Sequence, residues 1–237
     1  MAMVAFVREI RIHPLKSCLG TDVPQAYLAN DGFIHDRDWL LVEPEGTFMS
    51  QRNFPRMALI CPSLEQSQAL GMMRHGGVLV VNAPHMPNLR VRFYTVRDDY
   101  DVFREVHIHG DTGLGYDVGS EAADWFSEFL ETPCALVRMV HHSRTHHSSV
   151  LQKSFEVRGQ DGYPVHLLGV ASCDDLDRRA SRHTPHENFR ANLMIAGTEP
   201  YEEDTWVGKR IRIGRAVMRV VKTNQRCPIP TVNQANG

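Results

Sequence analysis

Cys227 has the neighbours that metal-binding and reactive thiols require. It follows Arg226 and precedes Pro228 near the end of the sequence. A thiol beside a cation lies in the electropositive setting in which reactive cysteines are found, and a thiolate is a soft ligand suited to heavier transition metals. A cysteine on its own is more often a small buried hydrophobe, so its interpretation depends on the residues that accompany it.

A second candidate group follows the first strand-like run. Residues 4–12 are apolar and rich in β-branched types, and His13-Pro14 ends the run because proline removes a backbone donor. Lys16 and Ser17 come directly after this turn. A phosphate site requires an ammonium, a hydroxyl and backbone N–H groups directed to one point, so this turn is a candidate anion site.

Two further stretches place cations beside turns. Arg37 lies at the entrance of a predicted strand between Asp36 and Asp38. These carboxylates can orient its guanidinium towards an anion or simply pair with it, and the bare pattern favours pairing. The stretch 189–192, Phe-Arg-Ala-Asn, is followed by a strand, an acidic loop and then the Arg-Cys pair. All of these stretches concentrate cations or a thiol beside turns.

Short strands are the main elements predicted to position these groups. Apolar runs bounded by Gly, Pro or Asn predict them, and the runs 39–42 and 47–50 flank a Pro-Gly turn typical of a hairpin. The predicted strands cover residues 4–12, 39–42, 47–50, 78–81, 89–94, 103–109, 192–195, 210–213 and 217–222. Helical spacing predicts helices over Ser120–Leu130, with Ser120 as N-cap, and over residues 172–181. The pattern indicates an α+β fold that is rich in β-structure.

Four histidines offer an alternative metal site. His141, His142, His146 and His147 place imidazoles at i and i+4 or i+5 spacing, and imidazole is a common ligand for zinc, nickel and copper. No acidic or sulfur ligand is nearby in the sequence. The polar stretch 141–149 is therefore predicted to be a solvated loop between two domains.

The composition of the chain limits its possible cellular compartment and binding partners. Five cysteines without a CxxC pair suit a reducing compartment, and no apolar run approaches the roughly 18 residues of a membrane span. With a net charge of −2 and dispersed Lys and Arg, no surface for nucleic acid or an anionic membrane is expected. We therefore expect a cytoplasmic protein with a small-molecule substrate. The sequence has no ferredoxin-type cysteine run, so any electrons must come from a separate protein.

Six segments resemble, in the same order and over nearly the whole chain, the two-domain form of the MOSC family, which includes the mitochondrial amidoxime-reducing components and their bacterial relatives. The segments are Pro14-Leu15-Lys16-Ser17-Cys18, Asp36-Arg37-Asp38-Trp39, Asn188-Phe189-Arg190 to Asn192, Pro200-Tyr201-Glu202-Glu203-Asp204-Thr205-Trp206, Ile213-Gly214, and Arg226-Cys227 to Thr231-Val232. Six matches in order are far more specific than any one of them.

The resemblance implies a fold of two domains. Residues 1–120 would form an N-terminal MOSC-like β-barrel domain, and residues 121–237 would form the MOSC domain, also a β-barrel. Relatives continue well past the Thr-Val segment at 231–232. The chain is therefore expected to be a fragment, or to have a barrel with an unprotected edge.

The resemblance also implies a molybdenum cofactor, a pterin dithiolene whose metal is bound by Cys227. The residues implied to hold the pterin and its phosphate are Lys16, Ser17, Arg37, Arg190 and Asn192. Such relatives remove oxygen from N-hydroxylated bases and amidoximes, with electrons from a separate reductase or ferredoxin-like protein, and the family is also associated in general terms with pyridoxal phosphate. The types of these residues agree with such a cofactor. A phosphorylated anion needs charge-assisted hydrogen-bond donors, and the metal needs a soft anionic ligand.

One segment departs from the family pattern. Relatives usually have Asp, small hydroxyl residues and Pro where this chain has Asp161-Gly162-Tyr163-Pro164, so two hydrogen bonds to the cofactor are expected to be lost or replaced, and Tyr163 to crowd the site. In addition, Ala191 replaces a proline of the relatives and Gln225 a small polar residue.

Two hypotheses from different classes follow. In the first, the protein is an oxidoreductase that reduces N-hydroxylated substrates at a molybdenum bound by Cys227. In the second, it is a non-catalytic module that binds the cofactor or carries sulfur as a persulfide on Cys227.

Overall fold

The computed structural model of the chain describes residues 4–65, 77–93 and 102–237. The strands are β1 (Phe6–Ile12), β2 (Thr21–Asp22), β3 (Leu28–Ala29), β4 (Gly32–Phe33), β5 (Trp39–Val42), β6 (Cys61–Glu65), β7 (Val78–Asn82), β8 (Leu89–Arg92), β9 (Phe103–Ile108), β10 (Asp111–Asp117), β11 (Ala135–Met139), β12 (Thr145–Ser148), β13 (Lys153–Glu156), β14 (Leu167–Gly169), β15 (Leu193–Ala196), β16 (Arg210–Ile213) and β17 (Ala216–Arg219). The α-helices are α1 (Ser120–Leu130) and α2 (Val170–Ala180), with shorter 3₁₀ helices at Pro55–Leu59, His186–Phe189, Glu202–Trp206 and Ile229–Thr231. The predicted β-rich α+β fold is confirmed.

The largest core lies between two antiparallel sheets and α1. One sheet has the order β5-β11-β10-β9 and the other the order β6-β7-β8. The buried face of α1 consists of Ala122, Trp125, Phe126, Phe129 and Leu130. This spacing of three and four residues forms one apolar stripe on a helix, and the stripe packs into a cluster with Leu15 and Trp39, both fully buried. The loop after β1 is thereby anchored in the core.

The first strand of the chain lies in a sheet with late strands. β1 pairs antiparallel with β15, with Ile10 opposite Leu193, and β14 pairs parallel with β15. Apolar side chains from β1, β4 and β15, including Ile12 and Ile195, bury one another behind this sheet. The loop that leaves β1 therefore begins beside the residues that enter β15. The predicted boundary between two domains after residue 120 stays a prediction. Strands from both sides of residue 120 pair with one another, as β1 does with β15 and β10 with β11.

Most predicted elements are confirmed, and several need correction, among them the predicted strand 217–222, which ends at Arg219. The predicted N-cap Ser120 is the first helical residue, and Gly119 holds the cap position. The predicted hairpin has its turn, closed by a 2.9 Å bond from the Glu43 N–H to the Thr47 carbonyl, but beyond the turn it has only a Val42–Phe48 bridge. The predicted strand 89–94 ends at Arg92, and Tyr94 lies outside the described residues.

The prediction of a polar loop over residues 141–149 was wrong in part. Thr145–Ser148 forms β12, which pairs antiparallel with β13. Histidines and serines carry no apolar alternation, so the sequence offered no strand signal here. Among the residues that the structure describes, no helix is long and apolar enough to cross a membrane.

Candidate functional site

The loop after β1 carries Lys16 and Ser17 into the protein interior. The Lys16 N–H donates to the carbonyl of Trp39 over 2.8 Å, and the Trp39 N–H donates to the carbonyl of Pro14 over 3.1 Å, so the loop runs beside the start of β5. Ser17 has a φ of 63° and is 5% exposed. Within the described residues its hydroxyl makes no hydrogen bond. Backbone in the left-handed region and a hydroxyl without a protein partner are features of ligand sites, so this turn is a candidate ligand site.

Lys16 is enclosed by protein groups. Its Nζ donates to the Gly159 carbonyl over 2.7 Å, pairs with the Asp161 carboxylate and lies 5.0 Å from the centre of the Phe48 ring. Burial lowers the pKa of Lys16 to about 8, and Asp161 opposes this shift only in part. Burial alone would raise the pKa of Asp161, but Lys16 and His109 hold it well below its usual range.

The lowered pKa of Lys16 predicts a specific pH dependence of stability. Between pH 8 and the ordinary value of 10.5, the unfolded chain keeps a proton on Lys16 that the folded chain has lost. Folding stability therefore rises with pH in this window. We expect the unfolding free energy of wild type to rise relative to Lys16→Met by at most about 1.4 kcal/mol per pH unit. Urea unfolding at pH 8 and pH 10 measures this, and parallel profiles of the two proteins would contradict it.

Arg37 is held by a polar network. Its Nη1 donates to Asp36 over 2.5 Å and to the Asn192 Oδ1 over 3.1 Å, and its Nη2 donates to the Arg190 carbonyl over 3.2 Å. The Nδ2 of Asn192 donates to the Arg11 carbonyl and to Asp36, each over 3.0 Å. The amide of Asn192 is therefore fully engaged, and it fixes the direction in which the Arg37 guanidinium points.

Arg190 is a cation at the end of the short helix His186–Phe189. Its Nη1 donates to the carbonyl of Cys18, and no carboxylate of the described residues pairs with it. Burial, and then the charge of Arg37, lower the pKa of Arg190 to about 10. A desolvated cation is costly unless an anion compensates it.

Lys16, Arg37 and Arg190 together form the cationic cluster. Their carboxylate partners are Asp36 and Asp161, so three cations face two carboxylates and one positive charge is in excess. With the unused Ser17 hydroxyl, this donor set fits a phosphorylated anionic cofactor.

Buried arginines that the sequence did not single out support the cluster. Arg158, 1% exposed, pairs with Asp38 and lies 3.1 Å from the Asp31 carboxylate. Arg144, equally buried, donates to the Arg158 carbonyl over 2.9 Å. They hold the segment that offers the Gly159 carbonyl to Lys16. Their neighbours in the sequence gave no signal of this role.

Gly159 is a position where a side chain does not fit. A Cβ there would lie 2.5 Å from the Arg37 carbonyl oxygen, whereas nothing lies within 4 Å of a Cβ at Gly110. We therefore expect Gly159→Ala to lower the unfolding free energy by about 1 to 3 kcal/mol through overpacking. Chemical denaturation measures the loss, with Gly110→Ala as the matched control. Equal effects at the two positions would contradict the argument.

Cys227 lies exposed on a segment without regular secondary structure. The guanidinium of Arg226 lies 5.1 Å from the centre of the Phe189 ring, and its Nη1 is 3.0 Å from the Nε2 of His166. His166 carried no signal in the sequence, because an isolated histidine has many roles.

The residues after Cys227 are tied to both candidate loops. Asn188, beside Arg190, donates to the carbonyl of Pro230 over 3.0 Å. Gln234 donates to Gln51 over 3.0 Å, and Gln51 donates to the Ser17 carbonyl over 2.9 Å. The segment that carries Cys227 is thus attached to the loops that carry Ser17 and Arg190.

Tyr163, His142 and His146 contact groups that are not members of the cationic cluster. The Tyr163 hydroxyl lies 2.6 Å from that of Ser148. His142 lies 2.5 Å from Glu156, and His146 lies 3.9 Å from Asp111. Across residues 4–65, 77–93 and 102–237, no three His, Cys, Asp or Glu side chains form a group that could hold a metal ion.

Comparison with known proteins gives matches over nearly all of the chain. Residues 4–133 match the MOSC N-terminal beta barrel domain, and residues 154–237 match the MOSC domain. Similar proteins include mitochondrial amidoxime reducing component 2 of Bos taurus and of Homo sapiens, each 29% identical over 246 aligned positions that cover 100% of this chain and 69% of theirs. Mitochondrial amidoxime-reducing component 1 of Mus musculus is also 29% identical, with 68% of its length covered. The chain therefore belongs to the MOSC family, with an N-terminal beta barrel domain followed by a MOSC domain.

Proposed function

We propose that this protein binds a molybdenum cofactor through Cys227 and reduces N-hydroxylated bases and amidoximes with electrons from a separate protein. The observation that carries the proposal is the cationic cluster, which leaves one positive charge in excess. A phosphorylated pterin supplies the anion that such a cluster lacks. The similar proteins named above are amidoxime-reducing components.

In this proposal the residues have distinct tasks. Ser17, Arg37 and Arg190 contact the phosphate and the pterin, together with Lys16. Asn192 acts through Arg37, because its own amide already bonds the protein. The thiolate of Cys227 provides the soft anionic ligand that the metal needs.

The proposed reaction takes two electrons and two protons, breaks the N–O bond of the substrate and releases the oxygen as water. When bound, the cofactor supplies the redox centre for this step. The chain supplies the ligand, the orientation and the charges around that centre. Electrons come from a separate electron-transfer protein of the reductase or ferredoxin type.

A second candidate function follows from the exposure of Cys227. An accessible thiol beside Arg226 suits a persulfide carrier as well as a metal ligand. In that case the cationic cluster would bind the cofactor without turnover, or the protein would carry sulfur on Cys227 alone.

Metal and pterin analysis distinguishes the two functions. We expect the protein purified from a host that makes the cofactor to hold near-stoichiometric molybdenum and pterin, and to reduce a simple aromatic amidoxime with reduced viologen dye as electron donor. A persulfide mass increment on Cys227 without pterin would support the carrier instead. Neither molybdenum nor pterin, despite an available cofactor, would refute the proposed oxidoreductase.

A further inference from the structure

Arg226, the residue directly before Cys227, is held from two sides. Its guanidinium lies over the Phe189 ring at 5.1 Å from the centre, and its Nη1 lies 3.0 Å from the Nε2 of His166. Stacking of a guanidinium on an aromatic face is attractive. The rest of the segment around Arg226 is exposed and has no regular structure, so these two contacts fix the side chain.

The hydrogen bond between Arg226 and His166 defines the protonation state of the His166 ring. A guanidinium can only donate, so the Nε2 of His166 must accept and the ring is neutral. Burial, and then the charges of Arg226 and Arg37, lower the pKa of His166 to about 3. The backbone of Arg190 and Phe189 hydrogen-bonds the ring as well. His166 is thus a permanent acceptor for Arg226 at neutral pH.

His166 is itself fixed to the network around Arg37. Its N–H donates to the Asn192 Oδ1 over 3.2 Å, and its carbonyl accepts from the Asn192 N–H over 2.8 Å. The same Asn192 oxygen accepts from Arg37. The position of Arg226 is therefore linked, through His166, to the cationic cluster.

We propose that His166 is a positioning residue that, together with Phe189, keeps the charge of Arg226 beside the thiol of Cys227. Within the proposed function, which this inference deepens, that charge faces an anionic cofactor. Arg226 directly precedes Cys227 and the charges of the two side chains interact in the chain itself, so this charge can be tested separately from the cofactor. Without the His166 acceptor, the long Arg226 side chain gains rotamer entropy by moving freely. Its positive charge then spends less time near the Cys227 thiol.

Alkylation of cofactor-free protein by two reagents measures this charge. Iodoacetate is an anion and iodoacetamide is neutral, so the ratio of their rates at one thiol reports the local positive charge and is insensitive to general exposure. Peptide mass spectrometry gives the ratio at Cys227 and, as internal reference, at Cys61, which is also exposed. The protein is the full chain made in a host that cannot synthesise the cofactor.

A matched pair of substitutions tests the acceptor. The amide of glutamine reaches the place of Nε2, whereas the shorter amide of asparagine does not. We expect His166→Gln to keep the wild-type ratio at Cys227 and His166→Asn to lower it about threefold, the effect of one charge moved several ångströms away in water. The ratio at Cys61 stays constant, as does the Cys227 ratio in His147→Asn, which changes an exposed histidine of β12.

Two further variants keep the test decisive. Arg226→Gln removes the charge itself and should lower the ratio as far as His166→Asn does. Phe189→Leu removes the other contact and should lower it as well, which gives a result even where a His166 variant does not fold. An unchanged ratio in His166→Asn, or in Arg226→Gln, overturns the inference. Absence of molybdenum from wild type overturns the proposed function instead and leaves this ratio unaffected.

Discussion

Cys227→Ala should lose its molybdenum almost completely while the fold is retained. Removal of an outer-shell partner of a metal commonly reduces affinity tenfold to a hundredfold, and removal of the ligand itself should exceed about a hundredfold. The side chain is exposed on a segment without regular secondary structure, so its loss should leave the unfolding free energy within about 0.5 kcal/mol of wild type. Elemental mass spectrometry and pterin fluorescence on the purified variant measure the effect.

Two further cysteine variants sharpen this result. Cys227→Ser should retain little metal, because a hydroxyl is a hard and mostly protonated ligand. Cys61→Ala removes the other exposed thiol, which lies on β6 outside the cationic cluster, and should keep the wild-type metal content. Retention of full molybdenum by Cys227→Ala would show that the metal has another ligand.

Arg190→Met should weaken binding of the pterin without weakening the fold. Each hydrogen bond to a charged group contributes about 1.5 to 3 kcal/mol, so the loss of one such bond corresponds to about a tenfold to hundredfold decrease in affinity. The same guanidinium has no carboxylate partner within the described residues. Methionine removes a desolvated charge with which no carboxylate in the described part of the chain pairs, and this gain outweighs the lost hydrogen bond to the Cys18 carbonyl, so the unfolding free energy of the cofactor-free variant should equal or exceed that of wild type.

The Arg190 test is specific because Arg190→Met should lower pterin binding without lowering the unfolding free energy. Pterin content follows from fluorescence after release, and stability follows from urea unfolding of cofactor-free protein. Arg212→Met, on the exposed face of β16, is the matched control and should change neither quantity. A large loss of stability in Arg190→Met together with full pterin content would assign Arg190 a structural role only.

The sequence by itself determined the local elements. The apolar stripe of α1 predicts its bounds correctly, because every turn of a helix repeats the same contact with the core. The Lys16-Ser17 turn also follows from local residues, since Pro14 cannot donate to a strand ladder and closely follows β1. Residues with strong local preferences thus place the candidate groups at the ends of the right elements.

Only the tertiary structure decided which partner each charged group takes. Asp36 and Asp38 flank Arg37 symmetrically in the sequence, yet Asp36 binds Arg37 and Asp38 binds Arg158. A local sequence pattern cannot distinguish the two carboxylates. The arginine that each one binds is set by the distant segment that packs against it. The contact between His166 and Arg226 spans 60 positions, and the excess charge of the cationic cluster arises where β1 meets β15. Burial and long-range pairing create these properties, and neither is a property of any short stretch of sequence.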